Sequence, residues 1–223
     1  MDIEKGRYTN TWKNRNWHLY TGFLGVKDLN FVLTAAARTD VAYRLLLAED
    51  YPSWLFPVKN GATTIWERWD GWTPDKGFQD PGMNSFNHYA YGAIGQWLYQ
   101  QVAGLDVDDR APGYQHALIA PHLPPPNSDA AKRITWVKAA LQTAYGKLAS
   151  AWKVQGKTVT LEVTIPVNAA ATVIIPCAAA KFVRESGEPL AKAPGIKSVV
   201  AQAGTLRCTV GSGVYRFTFP RPA

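Results

Sequence analysis

At 223 residues and 47% apolar content, the chain has room for one large domain or two modest ones with packed cores. Two cysteines without a CxxC pairing leave out zinc and thiol-redox motifs, and no P-loop, dinucleotide-binding glycine run or GxSxG elbow occurs. The net charge of +7 resides entirely in the second half: residues 1–104 balance ten Lys/Arg against ten Asp/Glu, whereas residues 105–223 hold fourteen against seven. Those cations stand singly in strand-like sequence, so the charge reads as a solvated face rather than a nucleic-acid arm or recognition helix.

The first half carries seven of the nine tryptophans and reads as helical. Asp28 to Ala37 and Val41 to Ala48 are rich in leucine and alanine at near-helical spacing, with Thr39 and Asp40 as the expected N-terminal cap of the second. Tyr51-Pro52 is expected to end that helix. From Lys59 to Asn84 the chain has little periodicity and several Gly, Asp and Pro, which predicts a long ordered loop of the kind that carries function. A further helix is predicted from Asn84 or Ser85 to about Val102, stopped by Gly104.

The second half reads as strands. Ala117–Ile119, Thr135–Ala140, Gly146–Lys153, Thr158–Ile165, Ala171–Ile175, Leu206–Val210 and Val214–Phe219 show β-branched or aromatic alternation, with Gln155-Gly156-Lys157 as a hairpin turn. Such a series predicts an antiparallel sandwich, entered through a stiff linker at Pro121 to Ser128. The two tryptophans here, Trp136 and Trp152, suit a core or a carbohydrate contact equally.

Chemistry concentrates at Ile65-Trp66-Glu67-Arg68-Trp69-Asp70, where two carboxylates lie beside two indoles. A carboxylate walled by indoles is partly desolvated, which raises its proton affinity. Indole faces also pack on the C–H face of a pyranose. The alternative is an aromatic core turn in which Glu67 and Asp70 pair with Arg68 or other cations. His88, expected in the first turn of the last helix, would feel the positive end of its dipole and stay neutral, able to donate to and accept from a sugar hydroxyl; the alternative is a core or capping histidine.

These residues sit in motifs that resemble the C-terminal part of bacterial alpha-L-rhamnosidases, the family 78 glycoside hydrolases. They read HLxTGF at residues 18–23, YPSWL at 51–55, GATTIWERWDG at 61–71 and DPGMNSFNHYAYGAIGxWLY at 80–99. The likeness runs on, more weakly, through PGYQHALIAPHL, YGKLASAWKVQGKTVTLEVTIP and GSGVYRFTF. The resemblance implies an α+β fold of two domains: residues 1–104 as the C-terminal portion, the last helices, of a partial (α/α)6 barrel, and residues 105–223 as a C-terminal antiparallel β-sandwich. It implies inverting hydrolysis of terminal alpha-L-rhamnose, with Glu67 as general base, His88 binding the rhamnose hydroxyls, and Trp66 and Trp69 near the sugar. An inverting enzyme also needs a general acid, which in this family resembles a D-x-x-x-R-x-E-R-x-G-W-x-G-D run that these residues lack. Asp70, Asp75 and Asp80 share the loop of Glu67 and suit the opposite face of the sugar poorly. The chain therefore reads as a fragment of a longer enzyme, inactive alone.

The expected partners are a rhamnose-containing glycoside and the missing N-terminal part of the same enzyme; no nucleic acid, membrane, cofactor or metal is expected, and homo-oligomer formation and compartment stay open. A non-catalytic carbohydrate-binding or scaffold protein is the alternative function.

Overall fold

The computed structural model describes residues 17–222. They fall into two compact units that divide between Gly95 and Gln96.

In the first unit, the helix Phe23–Ala35 starts five residues earlier than periodicity suggests, because Gly22 takes the extended conformation that opens it. Its buried stripe is Val26, Asn30 and Thr34. The polar members are held locally: Thr34 Oγ1 donates to Asn30 O at 2.8 Å and Asn30 Nδ2 donates to Ala42 O at 3.5 Å. The next helix, Thr39–Leu46, is not capped by Thr39 or Asp40 as expected; Arg38 occupies the cap position without a side-chain bond. Asp40 sits inside the first turn instead, where its carboxylate takes two bonds of 2.9 Å from the Arg38 guanidinium and favours the helix dipole. The helix stops at Leu46, ahead of Tyr51-Pro52, and a short helix follows at Leu55–Lys59.

The core of this unit gathers Leu19, Val26, Val41, Leu45, Trp54, Trp69 and Tyr91. Trp69 stacks on Tyr91 with ring centroids 3.6 Å apart, and Trp54 meets Trp69 edge-on at 5.7 Å. Both indoles have their polar edge satisfied, Trp54 donating to Tyr91 O and Trp69 to Thr21 O, each at 3.0 Å. That is the condition for burying a tryptophan without leaving a donor orphaned.

Beyond Lys59 the chain is a long ordered loop interrupted by a small hairpin, β1 (Trp72–Thr73) against β2 (Gly77–Phe78). The last helical stretch begins later than its caps suggested. It runs as a 3-10 turn Ala90–Ala93, an α-turn Ile94–Trp97 and a π-turn Leu98–Val102. Asn84 and Ser85 are held in the loop instead: Asn84 Nδ2 donates to Gly71 O at 2.9 Å and the Ser85 backbone exchanges two bonds with Glu67, while Ser85 Oγ closes a local turn by accepting from Asn87 N–H. Gly104 does end it, with φ of 75° and its Cα pressed on the backbone of Ala120 and Pro121, where a side chain would not fit.

The second unit is a sandwich of two sheets. One holds β5 (Trp136–Thr143), β6 (Gly146–Gln155), β7 (Thr158–Ile165), β13 (Gly213–Pro220), β9 (Arg184–Glu185) and β10 (Glu188–Pro189), in the order β10-β9-β13-β7-β6-β5. The other holds β3 (Leu105–Val107), β4 (His116–Ile119), β8 (Ala170–Ile175), β11 (Ile196–Gln202) and β12 (Thr205–Val210), in the order β11-β12-β8-β4-β3. All pairs are antiparallel except β4 with β8, which run parallel. The seven expected strands are present within two or three residues, and Gly156 with φ of 59° turns β6 into β7. Four strands, β3, β9, β10 and β11, go beyond them, as does the helix Asp129–Arg133, which Ser128 caps by accepting from Ala131 N–H at 3.1 Å.

Alternation explains the closure. Leu148, Ser150 and Trp152 of β6, Val159, Leu161, Val163 and Ile165 of β7, and Tyr215, Phe217 and Phe219 of β13 point inward and are buried, with solvent-facing residues between them. Trp152 Nε1 donates to Val102 O and Ser150 Oγ to Ala103 O, both at 2.7 Å. Cys177 and Cys208 are free thiols, and burial pushes the Cys208 thiol up to about 11.

Candidate active site

The segment bearing Glu67 is laced to the one bearing His88. Glu67 N–H donates to Ser85 O at 2.8 Å, Ser85 N–H returns a 2.8 Å bond to Glu67 Oε2, and His88 N–H donates to Ile65 O at 2.8 Å. Thr64 Oγ1 adds a bond to Phe86 O. One backbone frame therefore places both side chains, although eighteen residues of sequence separate Glu67 from Ser85. A carboxylate that accepts a backbone N–H is fixed in orientation, and among the described residues only its Oε2 is engaged in this way.

His88 lies ahead of the helical stretch rather than in its first turn. Its Nδ1 accepts from Ala90 N–H at 3.3 Å, which puts the proton of a neutral ring on Nε2. Phe23 tilts against one side of the ring at 5.6 Å and Tyr89 stacks alongside at 5.4 Å.

Trp66 is buried, its ring edge-on to Phe86 at 5.2 Å, and Phe86 in turn meets Phe78 of β2 at 5.3 Å. Trp69 belongs to the core stack described above. Between these indoles, Arg68 and Asp70 form a two-pronged pair at 3.0 and 3.1 Å, so the cation of this motif is taken by Asp70 and not by Glu67. Gly71 is required where it stands: a Cβ would come within 2.9 Å of Asn84 Oδ1 and press on Phe86.

The other loop carboxylates are spent locally. Asp80 Oδ1 accepts from Gly82 N–H at 2.8 Å. The Thr73 hydroxyl holds Asp75 below its usual range. Burial, and then the negative charge of Asp70 with a smaller part from Glu67, pushes the Tyr91 phenol up to about 12. An open cavity of about 320 Å³ lies on the Asp70 side of the loop, walled by Tyr51, Phe56, Asp70, Asp75, Lys76 and Gln79; Glu67, His88, Trp66 and Trp69 do not line it. Among the described residues no group of three or more His, Cys, Asp or Glu could hold a metal ion, and no helix is long and apolar enough to cross a membrane.

Sequence reasoning missed Ser85, Phe23 and Ala90 as the groups that orient Glu67 and His88. Two of the three act through backbone atoms, which leave no trace in side-chain pattern.

Comparison with known proteins accounts for nearly the whole chain. Residues 3–102 match the bacterial alpha-L-rhamnosidase 6 hairpin glycosidase domain, and residues 104–188 match the bacterial alpha-L-rhamnosidase C-terminal domain. An alpha-L-rhamnosidase of Streptomyces avermitilis is 40% identical over 204 residues, covering 92% of this chain and 18% of that protein. One from Formosa agariphila is 37% identical over 203 residues, covering 90% and 21%. Among solved structures, the Streptomyces avermitilis alpha-L-rhamnosidase complexed with L-rhamnose superimposes with a TM-score of 0.79 at 39% identity, over 94% of this chain and 19% of that one. The Dictyoglumus thermophilum alpha-L-rhamnosidase gives 0.78 at 27% identity, over 96% and 22%. The chain thus spans about a fifth of the length of the relatives it matches.

Proposed function

We infer that this chain, which belongs to the bacterial alpha-L-rhamnosidase family, supplies the base side of a site that hydrolyses terminal alpha-L-rhamnose from glycosides with inversion. Residues 1–104 are read as the C-terminal portion of an (α/α)6 catalytic barrel and residues 105–223 as the C-terminal β-sandwich domain; the two matched ranges, 3–102 and 104–188, support that division.

The observation that carries the reading is the seating of Glu67. Its carboxylate is oriented by Ser85 N–H, from the segment that carries His88, and no cation among the described residues pairs with it; Asp70 is tied up by Arg68, and Asp75 and Asp80 take their bonds from Thr73 and Gly82 within their own turns. A general base needs an oriented oxygen that is not committed to an ion pair; Asp70 fails that condition, and of the loop carboxylates that meet it Glu67 is the one held to the segment that carries His88. In the proposed step Glu67 takes a proton from water as the water oxygen attacks the anomeric carbon. His88 holds the sugar hydroxyls through Nε2–H, and Trp66 and Trp69, both buried, back the loop beneath the pyranose. The leaving oxygen must be protonated by a second carboxyl roughly 6.5–9.5 Å away. The aspartates share the loop of Glu67 and no acidic run of the family's kind occurs in these residues, so that acid is assigned to the N-terminal part of the longer enzyme.

Glu67→Gln in the complete enzyme is expected to lower turnover of para-nitrophenyl alpha-L-rhamnoside by about 10²–10⁴ with an unchanged melting transition, and the 223-residue chain alone to release no nitrophenol. Turnover retained by Glu67→Gln would overturn the assignment of the base. Turnover by the chain alone would overturn that of the acid. A non-catalytic binding role for the isolated chain is favoured by the same lack of an acidic run, and calorimetry with L-rhamnose reads it directly.

A further inference from the structure

The cations that stand singly in the sequence of the second half converge when the strands pair. The register aligns Trp136 of β5, Lys153 of β6, Thr160 of β7, Thr218 of β13 and Arg184 of β9 in one row across the six-stranded sheet. Beside it runs a second row of Lys138, Ala151, Glu162 and Arg216. Both rows lie opposite the buried positions of the same strands, so they share the outward face.

Two features of that face are unexplained by folding. Trp136 is 64% exposed, whereas the other tryptophan of this unit, Trp152, is 2% exposed and has its Nε1 bonded. An indole left in water forgoes the burial energy that is the usual reason for placing one in a strand. The charge is also one-sided: Lys138, Lys153, Arg184 and Arg216 share these rows with one carboxylate, Glu162, which Arg216 approaches at 3.5 Å and largely neutralises.

We propose that the outward face of the six-stranded sheet binds an anionic polysaccharide, with Trp136 stacking on a pyranose ring and Lys153, Lys138 and Arg184 meeting acid groups along the chain. The shape agrees. Four interstrand steps separate Trp136 from Arg184, about 19 Å at roughly 4.8 Å per step, an open track rather than the concave pocket that encloses a small molecule. Thr160 and Thr218 add hydroxyls between the ring and the far cation. A neutral glycan would leave the cations without a role. A nucleic acid would be drawn by the same charge, but single strands are held by successive aromatic platforms, and these rows offer a single ring. The inference does not depend on Glu67 or on turnover, so it stands or falls separately from the hydrolase reading.

The test is calorimetric titration of the 223-residue chain with polygalacturonate, dextran sulfate, neutral dextran and duplex DNA at one moderate salt concentration. Trp136→Ala, Lys153→Ala and Lys197→Ala are compared with the unaltered chain, Lys197 being an exposed cation of the other sheet. Binding of polygalacturonate or dextran sulfate is expected, with neutral dextran inert; Trp136→Ala should weaken it about tenfold, the equivalent of roughly 1.4 kcal/mol, and Lys153→Ala about threefold or more, while Lys197→Ala leaves it unchanged. Whichever polymer depends on Trp136 identifies the acid group as carboxylate or sulfate. The proposal is overturned if neither anionic polymer binds, if Trp136→Ala binds as well as the unaltered chain, if Lys197→Ala costs as much as Lys153→Ala, or if duplex DNA binds more tightly than both. Lys153 is exposed, so its variant keeps the test valid should Trp136→Ala misfold.

Discussion

The β-rich and helical units spend their apolar residues differently. In the sandwich, strict alternation sends large side chains such as Trp152, Phe217 and Phe219 into one closed interior. In the helical unit, the helix Phe23–Ala35 buries Asn30 and Thr34 while Leu24 stands 83% exposed and Val32 is also left to solvent. A period of two gives each strand one apolar face, and two such faces close on each other. A helix in a larger array must satisfy several neighbours at once, and the unused apolar positions of this unit have the distribution expected where further helices would pack. The comparison teaches that alternation closes the two sheets on each other, while the first helix of the other unit keeps an apolar stretch uncovered.

That contrast can be broken at three points. The largest effect is expected at Phe217, fully buried in β13: Phe217→Ala should cost about 3–5 kcal/mol, read as a lowered urea midpoint, and a cost under about 1 kcal/mol would mean that the sandwich is not the closed core described. Alkaline pH separates the units next. Burial raises the pKa of Cys208 in the sandwich, from 9.0 to about 11, and of Tyr43 in the helical unit, above its usual 10. Each raised group contributes stability that is complete below its unfolded pKa and is lost as pH climbs through the folded one. Stability should therefore begin to fall near pH 9 through Cys208 and above pH 10 through Tyr43. Cys208→Ala and Tyr43→Phe should each flatten their own segment of the stability profile; parallel profiles for variant and parent would refute the assignment. The smallest effect is expected at Leu24. In this chain Leu24→Ser should change stability by no more than about 0.5 kcal/mol, whereas in the complete enzyme it should cost measurably more, and equal effects in both settings would remove the reason for calling that face unfinished.

Much of this was legible in the sequence for a physical reason. Strands β6, β7 and β13 announce themselves because alternation is a local property of the residues that form them, and Thr158–Ile165 is found at its predicted bounds. Strand β9 pairs through only two residues and β11 is largely exposed, so neither carries an apolar pattern to read. In the candidate site, the residue types of Glu67 and His88 were visible, but their seating was not. Asn84 and Ser85 have the chemistry of helix caps and would serve as such in isolation; tertiary bonds from the Asn84 amide to Gly71 and from the Ser85 backbone to Glu67 hold this stretch in the loop instead. Tertiary competition of this kind overrides local propensity wherever a loop must hold a side chain in place.

The one parallel pairing, β4 with β8, also sets an order of events. His116 cannot meet Ala170 until more than fifty intervening residues, including the whole β5-β6-β7 meander, have been laid down. The meander closes through short turns and is free to form early, while the β3-β4 hairpin must wait with an unpaired edge. A ribosome-bound chain that stalls before residue 170 would therefore display an open strand edge, an interval of synthesis exposed to misassociation in which a chaperone would matter.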